Sequence, residues 1–222
     1  MYWYGGGTTV FEDGNSITNN TINDPYYIGI NFYYQTGGTV SNNTIETSTR
    51  STTTSYGINY QYGNSNILSN NIKVNGSATN YGIYTIRNRA TATSNSNISN
   101  NMIRTSNQTT TSSHYGIYFR EGQFVNLYHN TVSVPSGGAS SCAIYVYSST
   151  STLYGSNNIQ NNIFSRTGTS GYTMYSNNAA IGNGTYGRET LQFVETHVLP
   201  NCAQKNIKAT LISEAGASIY SA

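Results

Sequence analysis

Ile98-Ser99-Asn100-Asn101-Met102-Ile103, followed by Tyr115-Gly116-Ile117-Tyr118-Phe119, is the stretch whose reading decides the fold. The first unit puts an apolar residue three places before an Asn. The second centres an Ile between a small residue and a Tyr. Outward from this pair, the first unit returns as ITNNTI (Ile17 to Ile22), VSNNTI (Val40 to Ile45), LSNNIK (Leu68 to Lys73), LYHNTV (Leu127 to Val132) and IQNNIF (Ile159 to Phe164). The second returns as YIGINF (Tyr27 to Phe32), YGINY (Tyr56 to Tyr60), YGIYT (Tyr81 to Thr85), CAIYV (Cys142 to Val146) and YTMYS (Tyr172 to Ser176). Fixed self-similarity of this length is the mark of a repeat architecture.

The units are strand-sized and separated by polar corners, with no sustained helical period. Read on the second Asn of each copy, the repeat fixes Asn20, Asn43, Asn71, Asn101, Asn130 and Asn162, at intervals of 23, 28, 30, 29 and 32 residues. Such a period predicts an all-β solenoid of about six coils, stacked ~4.8 Å apart as neighbouring strands of a sheet. One coil cannot bury its own apolar face, so stability comes from stacking. The repeated Asn suits a sharp corner, because Asn tolerates a left-handed backbone better than most residues. Stacked in register, its amide donates to one coil and accepts from the other, which predicts an asparagine ladder.

Composition agrees. Only 8% of the 222 residues are charged, and polarity comes from Asn, Ser, Thr, Gly and 21 Tyr. These are turn formers and strand formers. A net charge of +2, with Lys only at 73, 205 and 208, excludes a nucleic-acid partner read from charge. No apolar stretch approaches the ~20 residues of a membrane span, so no membrane insertion is expected. The start MYWYGGGTTVFEDGN carries no basic n-region or apolar h-region of an export signal. The repeat is already under way there, so the chain reads as a fragment whose flanking domains lie elsewhere. Cys142 falls at an apolar strand position and Cys202 outside the repeats, a spacing that suggests no disulfide.

Three segments are expected: 1–13 as a partial coil or N-terminal cap, 14–185 as the coils, and 186–222 as a non-repeat tail and possible cap. The tail carries Glu189, Glu195 and Glu214 but neither motif.

The alternation NNxI/YGIY resembles the right-handed parallel β-helix repeat proteins, the superfamily that includes pectate lyases and polygalacturonases. VNLYHNTVSV (Val125 to Val134) and NNIQNNIF (Asn157 to Phe164) are similar to secreted Bacteroidetes-type repeat proteins, which often carry a separate C-terminal sorting domain. The resemblance covers about residues 14 to 185. It implies a right-handed parallel β-helix of a secreted or cell-surface protein. It says less of function, because this fold hosts many activities.

The enzymes of that superfamily resemble sites of concentrated charge: a base beside carboxylate-bound calcium for lyases, two convergent carboxylates for hydrolases. Within the coils the acids are Asp24, Glu46 and Glu121, and none aligns with another in the repeat register. Glu12 and Asp13 are adjacent and point apart on a strand. His114, His129 and His197 are scattered, and the hydrolase-like signatures NTD, DD, HG and RIK are absent. No catalytic residue, metal site or cofactor is therefore expected, and a polysaccharide lyase or glycoside hydrolase is the alternative reading. Ice binding, which the Thr-rich corners invite, conflicts with intervals that vary from 23 to 32 residues.

Strand alternation supplies the candidate site. If Ile30, Ile58, Ile83, Ile117, Ile144 and Met174 face inward, the following residues face outward. These are Asn31, Asn59, Tyr84, Tyr118, Tyr145 and Tyr175. Four successive tyrosines form a ladder whose faces suit the C–H faces of sugars and whose hydroxyls hydrogen-bond. Arg87, Arg89 and Arg120 fall near it and suit carboxylate or sulfate groups. The sequence thus points to a non-catalytic structural or adhesive segment, with polysaccharide or a surface glycan as the partner of the tyrosine face.

Overall fold

A computed structural model describes residues 1–4, 11–105, 111–147, 157–166, 171–176 and 191–193. Among these every regular element is a strand, and every strand pair is parallel. The coils pass through three sheets in turn, and single strands such as Ser55–Leu68 and Asn158–Arg166 run through two of them. In the coil that holds the deciding stretch, Asn80–Asn88 lies in the first sheet, Ser96–Ser99 in the second and Met102–Thr105 in the third. The next coil repeats the path through His114–Arg120, Val125–Tyr128 and Thr131–Val134. At the start, Tyr2–Tyr4 pairs with Asn31–Tyr33, and Glu12–Asp13 with Gln35–Thr36. Toward the end, Leu191–Phe193 pairs with the strand Asn158–Arg166.

The interior is a set of columns, each made by the same position of successive coils. Ile30, Ile58, Ile83, Ile117 and Ile144 pair in register and are wholly buried. Ile17, Val40, Ile67, Ile98, Leu127 and Ile159 form the column of the second sheet, all at or below 6% exposure. Ile45, Ile72, Ile103 and Val132 form that of the third. Each fully buried Ile contributes about 1.5–3 kcal/mol, and β-branched side chains suit a pleated, stacked surface. Gly57, Gly82 and Gly116 precede the first column, where any Cβ would collide with Ile72, Ile103 and Val132 respectively. The glycines let the first and third sheets close on each other.

The asparagine ladder is present, with one change of register. Its rungs are Asn20, Asn43, Asn70, Asn101, Asn130 and Asn162, each Nδ2 donating to the next Oδ1 at 2.9–3.0 Å. Asn71, the third rung expected from sequence, is exposed and pairs with Thr44 and Met102 instead. Ile67 fills the inward apolar column at this place, and Leu68, which the repeat aligns there, is half-buried and pairs with Ser41 and Ser99. Among the described residues six rungs enclose five steps, so the solenoid has about five turns there, slightly fewer than the six expected.

Each inner amide is fully used. Asn101 Nδ2 donates to Asn130 Oδ1 and to the Ile67 carbonyl, at 3.0 and 2.9 Å. Its Oδ1 accepts from Asn70 Nδ2 and the Asn70 backbone N–H, both at 3.0 Å. That is the full donor and two-lone-pair capacity of an amide. The left-handed backbone belongs to the residue before each rung. Asn19, Asn42, Ser69, Asn100, His129 and Asn161 have φ between 54° and 57°. Two neighbouring positions thus divide the work assigned above to one Asn: the first turns the corner and the second ties the coils.

Candidate tyrosine face

The column after the first-sheet isoleucines runs Asn31, Asn59, Tyr84, Tyr118, Tyr145, Tyr175 in unbroken register. The four tyrosines stack face to face. Ring centroids are 5.2 Å apart for Tyr84 and Tyr118, 4.8 Å for Tyr118 and Tyr145, and 4.9 Å for Tyr145 and Tyr175. The corresponding interplanar angles are 15°, 3° and 21°. All four are partly exposed. Asn31 and Asn59 continue the column but are buried, with Asn59 Nδ2 donating to Asn31 Oδ1 at 2.9 Å and to the Tyr33 hydroxyl at 3.1 Å. The aromatic stretch therefore begins at Tyr84. Each inner ring is stacked between its two neighbours, so the ring faces that the sequence suggested for sugar contact lie against other tyrosines.

A second tyrosine column stands beside the first. Tyr56, Tyr81 and Tyr115 stack at 5.1 Å and 11°. Tyr81 meets Tyr84 and Tyr118 edge-on at 5.1 and 5.3 Å. Residues three apart share one face here because Gly82 and Ile83 are both buried between them. Cys142 takes the next place in this column, pairing with Tyr115 and Tyr172. Burial pushes its thiol up to about 12.

The arginines gather at the far edge of the same sheet. Glu121 is buried, with Arg87 Nε 2.9 Å from its Oε2 and Arg120 Nε 3.5 Å from its Oε1. Each guanidinium also lies over a tyrosine ring: Arg87 over Tyr62 at 5.6 Å, Arg120 over Tyr147 at 5.1 Å. Arg89 lies instead over Phe11, at 5.7 Å. Tyr34, Tyr62, Arg87 and Glu121 all have φ between 53° and 56° and form a second left-handed corner. Nothing in their residue types signals this, because only Gly and Asn visit that region readily.

Burial, then neighbouring rings, keep these phenols protonated. Tyr145 is pushed up to about 12, and Tyr118 and Tyr81 are raised further. Tyr84 is raised by burial, with the Arg120 guanidinium working against it. The other coil carboxylates are also paired: Glu46 with Lys73 on the third sheet at 2.6 Å, and Asp24, just past the strand Thr21–Asn23, with Arg50 at 2.5 Å.

The family model of the right-handed β-helix region matches residues 1–158. The chain belongs to the right-handed β-helix family. A second family model, that of the Tex protein YqgF-like domain, matches residues 141–222. Within that stretch Cys142–Tyr147, Asn158–Arg166 and Tyr172–Ser176 pair in parallel with one another or with the preceding coils, so over these residues the geometry is that of the β-helix. The rest of the stretch, apart from a few residues, lies outside the described residues, and with it most of the tail 186–222. No curated protein and no solved structure matches the chain.

A further polar column escaped the sequence reading. Asn66, Asn97 and Asn126 stack on the outer face of the second sheet, linked by amide hydrogen bonds of 3.0 and 2.9 Å. The signal was present: each stands one residue before an inward Ile or Leu.

Proposed function

We propose that this β-helix is a non-catalytic structural or adhesive rod of a secreted or cell-surface protein, and that it holds polysaccharide along the tyrosine ladder. The observation that carries this reading is the continuous column Tyr84, Tyr118, Tyr145, Tyr175. Its rungs repeat at 4.8–5.2 Å, close to the length of one sugar unit in an extended glycan. A linear glycan lying along the rod then meets one phenol per sugar. Since the ring faces are covered, contact runs through the hydroxyls, which donate and accept, and through ring edges. Arg87 and Arg120 border the ladder and are partly exposed, so a carboxylated or sulfated sugar gains a charge-assisted partner there. The Arg residues already share Glu121, which lowers the net charge they offer.

The pairing of Asp24, Glu46 and Glu121 with basic side chains favours a binding rather than a hydrolytic role, because a general acid or base has to be free to exchange its proton. In this reading the coils run over residues 14–185, the non-repeat tail 186–222, whose Leu191–Phe193 pairs with Asn158–Arg166, caps them, and further domains of the parent protein flank the rod.

Affinity gel electrophoresis against neutral, uronic-acid and sulfated polysaccharides tests the proposal. Retardation by one class, lost in a folded Tyr118→Ala/Tyr145→Ala protein, is the expected result. Retardation by none, or retardation that survives the double substitution, overturns the ladder as a binding site.

A further inference from the structure

Tyr118 and Tyr145 have ring centroids 4.8 Å apart and planes 3° from parallel. Their Cα atoms are direct partners in the parallel register. Side chains that leave paired positions with parallel rings bring equivalent ring atoms side by side, so the carbons ortho to the two hydroxyls are neighbours. Both rings are partly exposed, and Tyr84 and Tyr175 extend the same geometry on either side. The parallel column is less suited: Tyr115 is buried, and Cys142 replaces the next tyrosine.

A phenol that loses one electron and its hydroxyl proton becomes a phenoxyl radical, with spin density on its ortho carbons. Two such carbons held together by the fold react as if within one molecule, and this proximity strongly favours their coupling. We propose that the ladder is a site of oxidative cross-linking between coils, in which a haem peroxidase with hydrogen peroxide joins Tyr118 to Tyr145 through their ortho carbons. Each phenol gives up one electron and one proton. A carbon–carbon bond forms between the rings, and each ortho hydrogen moves to its oxygen, which restores both hydroxyls. The peroxide takes up the two electrons and two protons and leaves as two waters. The product is lighter by two hydrogens and carries a covalent bond between adjacent coils. No ligand is needed, so the cross-link stands or falls apart from glycan binding.

The test treats the full chain, at low concentration, with a plant haem peroxidase and hydrogen peroxide. Trypsin then cuts after Arg104, Arg120 and Arg166, which separates Tyr118 from Tyr145. The expected product is peptide 105–120 joined to peptide 121–166, two hydrogens lighter than their sum and with dityrosine fluorescence, from protein that is still monomeric. Tyr118→Phe and Tyr145→Phe, each checked for retained β-sheet signal by circular dichroism, should each abolish the joined peptide. Fluorescence confined to covalent dimers, or a joined peptide that survives either substitution, overturns the assignment.

Discussion

Asn70 donates its side-chain amide to Asn101 Oδ1 at 3.0 Å, and the backbone N–H of Asn70 donates to the same oxygen. Both residues are buried between the second and third sheets. Replacing Asn70 by Ala removes both acceptor sites and both donors of the amide, and strands the Asn43 amide on one side and Asn101 Oδ1 in part on the other. A buried polar group left unsatisfied costs about 1–3 kcal/mol. Asn70→Ala should therefore destabilise the fold by about 3 kcal/mol, read as a lower midpoint in urea. Asn71→Ala, at the exposed neighbour, should stay within about 0.5 kcal/mol. Equal costs at the two positions would place the ladder in the other register.

Gly82 shows how closely the sheets approach. A Cβ there would collide with Ile103 and lie 2.5 Å from the Gly116 carbonyl oxygen of the next coil. Backbone of the next coil cannot give way as a flexible side chain can. Gly82→Ala should cost about 3 kcal/mol, the upper part of the usual overpacking range. In the coil where Ala143 holds this place, Phe164 stands in the column of Ile103 and Val132, so the methyl meets a different neighbour. Pairing Gly82→Ala with Ile103→Ala should recover part of the loss that the two single variants show when added; strict additivity would mean the clash is with backbone alone.

Much of this was legible because side-chain direction alternates along a strand. The inward column Ile30 to Ile144 and the outward column that follows it both emerged from the YGIY unit alone. The slip at Asn71 came from Ile67 and Leu68, two adjacent apolar residues between which hydropathy cannot choose. The deciding signal lay downstream: in the other five copies the ladder Asn stands two residues before the inward residue of the third sheet, and Ile72 makes that residue Asn70. The left-handed corner at Tyr34, Tyr62, Arg87 and Glu121 had no such signal, since its residue types give no hint of positive φ. Ring stacking was also beyond the pattern: alternation shows that Tyr118 and Tyr145 share a side, but not that each covers the other's face.

Glu121 offers a test of that corner. Its carboxylate is buried, while the two arginine side chains that approach it are 46% and 34% exposed. Removing one member of a fully buried pair costs about 3–5 kcal/mol, and solvent around the arginines reduces this. Glu121→Gln, which keeps the volume and loses the charge, should cost about 2 kcal/mol in a urea melt. Glu46→Gln removes an ion pair whose two side chains are about half exposed, and should fall within about 0.5 kcal/mol. A Glu121→Gln protein as stable as the parent would mean that the arginines are held by Tyr62 and Tyr147 rather than by the carboxylate.

High pH should destabilise the rod through its tyrosine face. In the unfolded chain a tyrosine ionises near pH ~10. In the fold Tyr145 and Tyr56 are pushed up to about 12, first by burial and then by the rings beside them, and Tyr118 and Tyr81 are raised further. Between these values the unfolded state has lost protons that the folded state still holds, so stability falls as pH rises. The contribution is whole below about pH 10 and is lost progressively as pH climbs through about 12. The urea midpoint should accordingly hold steady through neutral pH and drop above about pH 10, with tyrosinate absorbance appearing together with the loss of the far-ultraviolet β signal. Tyr118→Phe removes one ionisable rung while keeping the stacked ring, and should make that drop shallower. An unchanged drop in Tyr118→Phe would assign alkaline unfolding to groups outside the ladder.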